Sequence, residues 1–260
     1  MNGFTVYFDK STSLPTRLLW ENLISQVFFL LESAQERIRS AEGQKQYASL
    51  DGWWRPTAQT LNGKKGYQVP EETAVSQALE EEMRAIKQEY IIDAHVPNPK
   101  LANLDELEFS CEVPRKHKQG IGKKAKPTDF RFYRAGLEGL DLRVEAKVLT
   151  KKSDISKNYL SDKGLGRFSD PKEPYTDDLV GGMIAYTVTG DKALWMDQIQ
   201  SEMDSASPKI DNFRHSLDVG TDQRLYSCVP FKLKKNPPQD NVMVFHLVLE
   251  FDSLPSARDT

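Results

Sequence analysis

The sequence predicts an α+β fold, a β-sheet flanked by helices. Amphipathic helical patterns come first in the chain, strand patterns dominate its middle, and both kinds of element follow towards the end. The chain has 260 residues, of which 38% are hydrophobic and 28% are charged. This size and composition are typical of a globular protein with one large domain or two small ones.

The first part of the chain is predicted to be mainly helical. Alternating apolar residues over 4–8 indicate a short strand. A stripe of apolar residues over 15–42 predicts a long amphipathic helix, whose broad apolar face suits the core or, alternatively, a dimer interface. Glycines, prolines and two tryptophans over 50–70 indicate an irregular connection. A second helix is predicted over 70–90, with Pro70 in its first turn.

Strands are predicted next, around a strongly basic segment. Alternation of Leu107, Phe109 and Cys111 predicts a strand within 104–113. The segment 115–126 follows, with six lysines and arginines, two glycines and no acid, and is predicted to be a loop.

The last part of the chain is predicted to return to helices and then strands. A polar connection is expected over 151–175. Thr176 is a suitable N-cap for a helix that reaches Val188, and Asp191 for another that reaches Met203. Strands are predicted over 223–229 and 241–251. The second is apolar on both faces, which indicates a buried central strand.

An amphipathic hairpin in the middle of the chain carries the residues most suited to chemistry. Its turn is predicted over 135–139, and a fold symmetric about Leu137 places Asp129 opposite Glu145. Lys147 lies two residues further along and projects from the same face. Arg131, Tyr133, Asp141 and Arg143 share this polar face. The opposite face is apolar and comprises Phe130, Phe132, Leu140, Leu142, Val144, Ala146 and Val148.

Two opposed carboxylates on adjacent strands are close enough to bind one hard divalent cation. They would repel each other without a cation, which is a physical reason to expect a metal site at Asp129 and Glu145. The alternative is an ordinary solvated face on which Asp–Arg and Glu–Lys pairs contribute little stability.

Pro127-Thr128-Asp129, followed after a turn by Glu145-Ala146-Lys147, resembles the PD-(D/E)xK signature of restriction-endonuclease-like nucleases. In that family the motif aspartate usually follows proline directly, whereas Thr128 intervenes here. The resemblance implies one nuclease-like domain whose core, a central mixed sheet flanked by helices, spans 70–251. Residues 1–69 would be an N-terminal helical extension and 252–260 a tail.

The resemblance also implies catalytic roles for Asp129, Glu145 and Lys147. The two acids and the backbone carbonyl of Ala146 would bind Mg²⁺, for which Mn²⁺ would be a substitute. Lys147 would orient the attacking water and offset charge on the phosphate. The family often adds an acid from the preceding helix. Glu72 is favoured for that role because it lies on the apolar stripe of its helix, and Glu82 is the alternative.

Basic residues on both sides of the hairpin suit a polyanionic partner, although the net charge of −3 excludes a global basic field. The candidate DNA contacts are Lys116, Lys118, Lys123, Lys124, Lys126, Lys151, Lys152, Lys163 and Arg167. The sequence therefore predicts a Mg²⁺-dependent DNA endonuclease of a prokaryotic restriction or anti-phage defence system. The alternative is a catalytically silent nucleic-acid-binding or scaffolding subunit that depends on an ATPase or sensor partner.

The expected setting is the cytoplasm. Only two cysteines occur, the N-terminus lacks a signal-peptide pattern, and no apolar stretch is long enough to span a membrane. A homodimer is expected if both DNA strands are cleaved, since double-strand cleavage usually needs two active sites.

Overall fold

In a computed structural model of the chain, the described residues form one set of helices around a large sheet. They are residues 13–47, 49–50, 52–56, 68–92, 101–114, 127–134, 140–170, 172, 174–217, 223–233 and 239–251. The predicted strand over 4–8, the basic segment 115–126, the hairpin turn over 135–139 and the tail lie outside this set.

The helices of the described residues are α1 (Leu14–Arg39), α2 (Ala41–Tyr47), α3 (Glu72–Ile92) and α4 (Lys192–Ser205). The strands are β1 (Trp54–Pro56), β2 (Gln68–Pro70), β3 (Leu107–Pro114), β4 (Pro127–Arg134), β5 (Asp141–Leu149), β6 (Val180–Thr187), β7 (Asp211–His215), β8 (Arg224–Leu233) and β9 (Gln239–Glu250). Short helical turns occur at Leu104–Glu106, Ile155–Tyr159 and Leu165–Ser169. No helix among these residues is both long enough and apolar enough to cross a membrane.

The described strands form a central mixed sheet of seven strands in the order β3-β4-β5-β6-β9-β8-β7. The three middle strands, β5, β6 and β9, are parallel, and the outer pairs are antiparallel. β1 and β2 form a separate antiparallel pair. The predicted α+β class, a central mixed sheet flanked by helices, is therefore confirmed.

Both faces of the sheet are covered. On β9, Phe245 packs edge-on against Phe28 of α1, with the ring centroids 4.9 Å apart. The next residue, His246, contacts Tyr159 of the turn that follows β5. Because successive side chains of a strand point to opposite faces, α1 covers one face, and the segment between β5 and β6 covers the other.

The apolar face of α1 belongs to the core of this chain. Ser13 caps the helix by accepting a hydrogen bond from the Thr16 N–H. The stripe that includes Trp20, Leu23, Val27 and Leu31 is fully buried. The interpretation of this stripe as core is confirmed, and dimerisation is not needed to cover it.

α3 protects the edge strand β3 with long polar side chains. Glu80 accepts a hydrogen bond from the Cys111 N–H at 2.9 Å, and Arg84 donates to the Phe109 carbonyl at 2.9 Å. Lys87 donates to the Leu107 carbonyl at 2.6 Å. These contacts satisfy backbone groups that an unprotected edge would expose. The helix begins at Glu72, two residues after Pro70, which lies in β2.

The helix predicted from Thr176 to Val188 is wrong, because the chain forms β6 there, with Val180–Thr187 buried throughout. A parallel strand covered on both faces has a continuous apolar sequence and lacks the alternation that identifies exposed strands. Gly181 leaves room for the ring of Phe168, and Gly182 leaves room for that of Phe245. The helix predicted from Asp191 is confirmed as α4, with Asp191 as its N-cap. The last two predicted strands are confirmed as β8 and β9.

A fully buried polar group lies on the face of the sheet opposite α1. The two ring nitrogens of His246 are hydrogen-bonded, Nδ1 to the Tyr159 hydroxyl at 3.0 Å and Nε2 to the Ser227 hydroxyl at 2.9 Å. Burial lowers the pKa of His246 from its ordinary value of 6.5 to about 3. The imidazole is therefore neutral in the folded protein at neutral pH.

Acid is expected to destabilise the protein through His246. The unfolded chain binds the imidazole proton near pH 6.5, whereas the folded chain binds it near pH 3. The stability is therefore fully present above pH 6.5 and falls towards pH 3, by roughly 5 kcal/mol at most. Urea unfolding at several pH values measures this loss. A His246→Gln variant that loses as much stability over the same pH window would contradict the assignment.

Candidate functional site

The hairpin of β4 and β5 has the predicted register. Phe130 pairs with Val144, Arg131 with Arg143, Phe132 with Leu142, and Tyr133 with Asp141. Its apolar face is buried, as the alternation requires. Backbone pairing between β4 and β5 ends at Phe130 and Val144. Asp129 and Glu145 are the next residues, so they lie where the two strands separate. On their other edges, β4 stays paired with β3 and β5 with β6 on both sides of this point.

At this opening, side-chain carboxylates accept the backbone N–H hydrogen bonds of β5 that β4 would otherwise accept. The Ala146 N–H donates to Oδ2 of Asp129 at 2.6 Å. The Val148 N–H donates to Oε2 of Glu72 at 3.1 Å. Alternate N–H groups of a strand point to the same side, and both groups here point to the side that β4 leaves. The divergence of the two strands therefore holds an acid from β4 and an acid from α3 against β5.

The ammonium of Lys147 lies among the oxygen atoms of this cluster. Nζ is 2.7 Å from Oε1 of Glu145, 2.6 Å from the Ala146 carbonyl oxygen and 3.3 Å from Oε1 of Glu72. Glu72 is the first residue of α3. It contacts Lys147 of β5, although the two residues are 75 positions apart in the sequence. A single positive charge is thus shared by oxygen atoms from two separate elements.

The electrostatics of the cluster favour an additional positive charge. Burial, and then the charge of Glu145, raise the pKa of Asp129 well above its ordinary value. Burial also raises the pKa of Glu145, although Lys147 and the nearby Tyr175 hydroxyl oppose this. Burial alone would lower the pKa of Lys147, but the adjacent carboxylates outweigh that effect and raise it. Asp129 and Glu145 therefore ionise less readily than isolated carboxyl groups, even with Lys147 beside them.

The carboxylate and carbonyl oxygens of the cluster are of the chemical type that a hard divalent cation binds. Oε2 of Glu145 is buried and has no hydrogen-bond partner in the described part of the chain. Such an atom normally has a partner, and a cation satisfies a carboxylate oxygen directly. Among the described residues, no three acidic, histidine or cysteine side chains are already arranged as a metal site. Lys147 occupies the space between Glu72 and Glu145, and a metal ion would have to replace it there.

The structure separates the two candidates for the additional acid. Glu72 contacts Lys147 and β5, as described above. Glu82 lies elsewhere, where it accepts a hydrogen bond from the Tyr47 hydroxyl at 2.6 Å and is 3.8 Å from Arg37. The geometry brings Glu72, and not Glu82, together with Asp129 and Glu145.

Part of the polar face of the hairpin is buried rather than solvated. Arg143 is 8% exposed and Glu145 is 6% exposed. Asp178, from the segment that leads into β6, accepts a hydrogen bond from the Asp141 N–H at 3.3 Å. Asp141 in turn binds the guanidinium groups of Arg131 and Arg143. The alternative of an ordinary solvated face does not hold for this part of the hairpin.

The candidate DNA contacts are only partly described. Lys116, Lys118, Lys123, Lys124 and Lys126 lie outside the described residues. Lys151 and Lys152 follow β5 directly and are exposed. The Nζ atom of Lys152 is 3.6 Å from Oε1 of Glu202. Lys163 is exposed, whereas the guanidinium of Arg167 is mostly covered and lies 5.2 Å from the Tyr175 ring centroid. The described basic residues thus follow β5 and line the segment that covers its polar face.

Two tyrosines near the cluster were not identified from the sequence. Tyr175 is close enough to Glu145 to affect its pKa. Tyr186 of β6 lies under the first turn of α3, where its hydroxyl is 3.0 Å from that of Ser76. Neither residue belongs to a motif, and Tyr175 lies in a segment interpreted as a polar connection. Tyr186 lies in the segment that was predicted to be a helix, so its neighbours in the sheet were not predicted.

Comparisons with protein-family models, with curated proteins and with solved structures each give no match to this chain.

Proposed function

We propose that this protein is a Mg²⁺-dependent endonuclease that hydrolyses phosphodiester bonds in DNA. The observation that carries the proposal is the convergence of Asp129, Glu145 and Lys147 at the opening between β4 and β5. Glu72 joins them from α3. Carboxylate and carbonyl oxygens with an adjacent lysine are the groups that metal-assisted phosphodiester hydrolysis requires.

Each residue has a distinct task in this proposal. Glu145, the Ala146 carbonyl, Glu72 and Asp129 would bind Mg²⁺, which would acidify a bound water and stabilise charge on the phosphate. Lys147 would leave its carboxylate partners, contact the attacking water and neutralise charge that develops on the phosphate oxygens. The buried position of Glu145 excludes competing solvent and strengthens these interactions.

The arrangement of the sheet supports a restriction-endonuclease-like core. Three antiparallel strands, β3, β4 and β5, are followed in the sheet by the parallel strands β6 and β9. The candidate site lies on the second and third of these strands, where the family's motif would place it. One difference is that only short helical turns connect β5 to β6, and the full helix α4 follows β6.

The basic residues beside the site favour DNA as the substrate. Phosphate contacts from Lys151, Lys152, Lys163 and Arg167 would bind the polyanion in a salt-dependent way. The proposal also includes a cytoplasmic restriction or anti-phage defence role. Cleavage of both strands would need a homodimer, and activity that depends on an ATPase or sensor protein is also compatible with the site.

A second candidate function is a catalytically silent nucleic-acid-binding or scaffolding subunit. The three contacts of the Lys147 ammonium favour it, because a structural ion-pair cluster would also satisfy the lysine in this way. The unpartnered oxygen of Glu145 favours the nuclease, since a purely structural cluster would leave no buried carboxylate oxygen without a donor.

Removal of divalent metal is expected to stop DNA cleavage. The full chain, incubated with supercoiled plasmid and Mg²⁺, should produce nicked or linear DNA on an agarose gel. Excess EDTA should abolish cleavage, and added Mg²⁺ or Mn²⁺ should restore it. The reason is that the acids alone can neither activate a water molecule nor stabilise negative charge on the phosphate. Cleavage that persists in EDTA would contradict the proposal. Binding of Mn²⁺ without cleavage would favour the subunit that depends on a partner.

A further inference from the structure

We infer that Tyr175 is a positioning residue of this centre, whose hydroxyl holds the Glu145 carboxylate in place for a divalent cation. This inference rests on the proposed function and deepens it. Tyr175 lies in the segment between β5 and β6, on the sheet face that carries Glu145. It would act through Glu145 and would not itself bind metal or substrate.

The ring of Tyr175 is fixed by its neighbours. The ring of Phe168 packs edge-on against it, with the centroids 5.3 Å apart and the planes at 70°. The guanidinium of Arg167 is 5.2 Å from the Tyr175 ring centroid. The Tyr175 N–H donates to the Arg167 carbonyl at 3.1 Å, and the residue is only 8% exposed. A ring held in this way keeps its hydroxyl in one place at little entropic cost.

The hydroxyl of Tyr175 has two acceptors near it, the Lys163 carbonyl oxygen and the carboxylate of Glu145. It donates to the Lys163 carbonyl at 3.4 Å, which is long for an O–H···O hydrogen bond. Phe168, on which the Tyr175 ring packs, lies over Gly181, and Gly181 is the strand partner of Arg143, two residues before Glu145 on the same face of the sheet. This places Tyr175 beside Glu145, in agreement with the shift that each group causes in the pKa of the other. Oε2 of Glu145 has no hydrogen-bond partner in the described part of the chain. A small movement of the hydroxyl would exchange a weak bond for a charge-assisted one.

This exchange matters when Lys147 moves. The side-chain hydrogen bond to Oε1 of Glu145 comes from Lys147, which the proposed mechanism releases towards the phosphate. Tyr175 is then the neighbouring donor that can keep the carboxylate from rotating away. Partners that orient a metal ligand typically change metal affinity by about 10- to 100-fold. Phe168, which packs on the Tyr175 ring, also packs against Gly181 of β6 and so fixes the position of Tyr175 relative to the sheet.

Calorimetric titration with Mn²⁺ tests the inference on the full chain. Tyr175→Phe removes only the hydroxyl and keeps the ring between Phe168 and Arg167. We expect its Kd for Mn²⁺ to rise by about tenfold or more, with a melting temperature within about 2 °C of the wild type. Tyr47→Phe is the matched control, because it removes a hydroxyl that donates to Glu82, outside the centre. Its Kd should not change.

The effect on cleavage should follow from metal binding. At low Mn²⁺ the Tyr175→Phe variant should cleave plasmid more slowly than the wild type, and saturating Mn²⁺ should restore most of the rate. A purely structural role would not produce rescue by metal.

Three results would overturn the inference, and they differ from one another. Equal Mn²⁺ affinity in wild type and Tyr175→Phe removes the role of the hydroxyl while leaving the proposed function intact. A fall of more than about 5 °C in the melting temperature of Tyr175→Phe assigns the hydroxyl to folding instead. Absence of Mn²⁺ uptake by the wild type removes the metal centre itself, and with it the proposed function.

Discussion

Glu145→Gln is expected to reduce Mg²⁺-dependent plasmid cleavage by about 10³-fold, as expected for loss of a charged group that acts on the transition state. The substitution preserves the size of the side chain but removes the negative charge that would bind the cation. Glu145 is also 2.7 Å from Lys147, so its charge sets the position of the lysine. Initial rates of plasmid nicking at fixed Mg²⁺, measured for both proteins, give this ratio directly.

Two further substitutions identify which acid joins the centre. Glu72→Gln should reduce cleavage in the same direction as Glu145→Gln, because its carboxylate contacts Lys147 and the Val148 N–H. Glu82→Gln is the matched control, since glutamine can still accept the hydrogen bond from Tyr47. It should cleave at the wild-type rate. If Glu82→Gln lost activity and Glu72→Gln retained it, the assignment of the acid from α3 would be wrong.

Lys147→Met is expected to destabilise the metal-free protein by several kcal/mol, roughly 3–5 in comparable buried pairs. Methionine keeps the length of the side chain but leaves the carboxylates of Glu145 and Glu72 without their cation. Mn²⁺ should therefore raise the melting temperature more in the variant than in the wild type. Cleavage should nevertheless fall by about 10²–10³-fold, because the charge next to the phosphate is lost. Thermal unfolding with and without Mn²⁺, together with plasmid nicking, measures these effects.

Lys192→Met provides the control for Lys147→Met. Lys192 also contacts a glutamate, Glu32, but Arg224 binds the same carboxylate at 2.6 Å. The response of this variant to Mn²⁺ should equal that of the wild type. A Lys147→Met protein as stable as the wild type without metal would show that the carboxylates do not depend on the lysine.

The hairpin was predictable because its information is local. Alternation with a period of two fixes which side chains share a face, and the turn fixes the register, so Arg131 was correctly expected opposite Arg143. The separation of the strands at Asp129 was not predictable from this pattern. It depends on side chains that bind the edge of β5 at the opening, where the N–H groups of Ala146 and Val148 donate to Asp129 and Glu72.

The error at β6 has a different cause. Asp177 and Asp178 after Thr176 form a plausible helix start, yet Asp178 caps the Leu179 N–H and contacts Asp141 of the hairpin. The burial of Val180–Thr187 on both faces removes the alternation that would have indicated a strand. The paired glycines, a residue type that weakens strands, provide space for the aromatic rings of Phe168 and Phe245.

By itself, the sequence determined the α+β class, the hairpin register from Phe130 to Tyr133 and the shared face of Glu145 and Lys147, because these depend on neighbours along the chain. Tertiary structure decided the rest of the centre. It placed Glu72 rather than Glu82 beside Lys147, brought Tyr175 to Glu145 and buried Arg143 and Glu145 of the polar face. These contacts join residues that are far apart in the chain, and periodicity along one element contains no information about which distant element will pack against it.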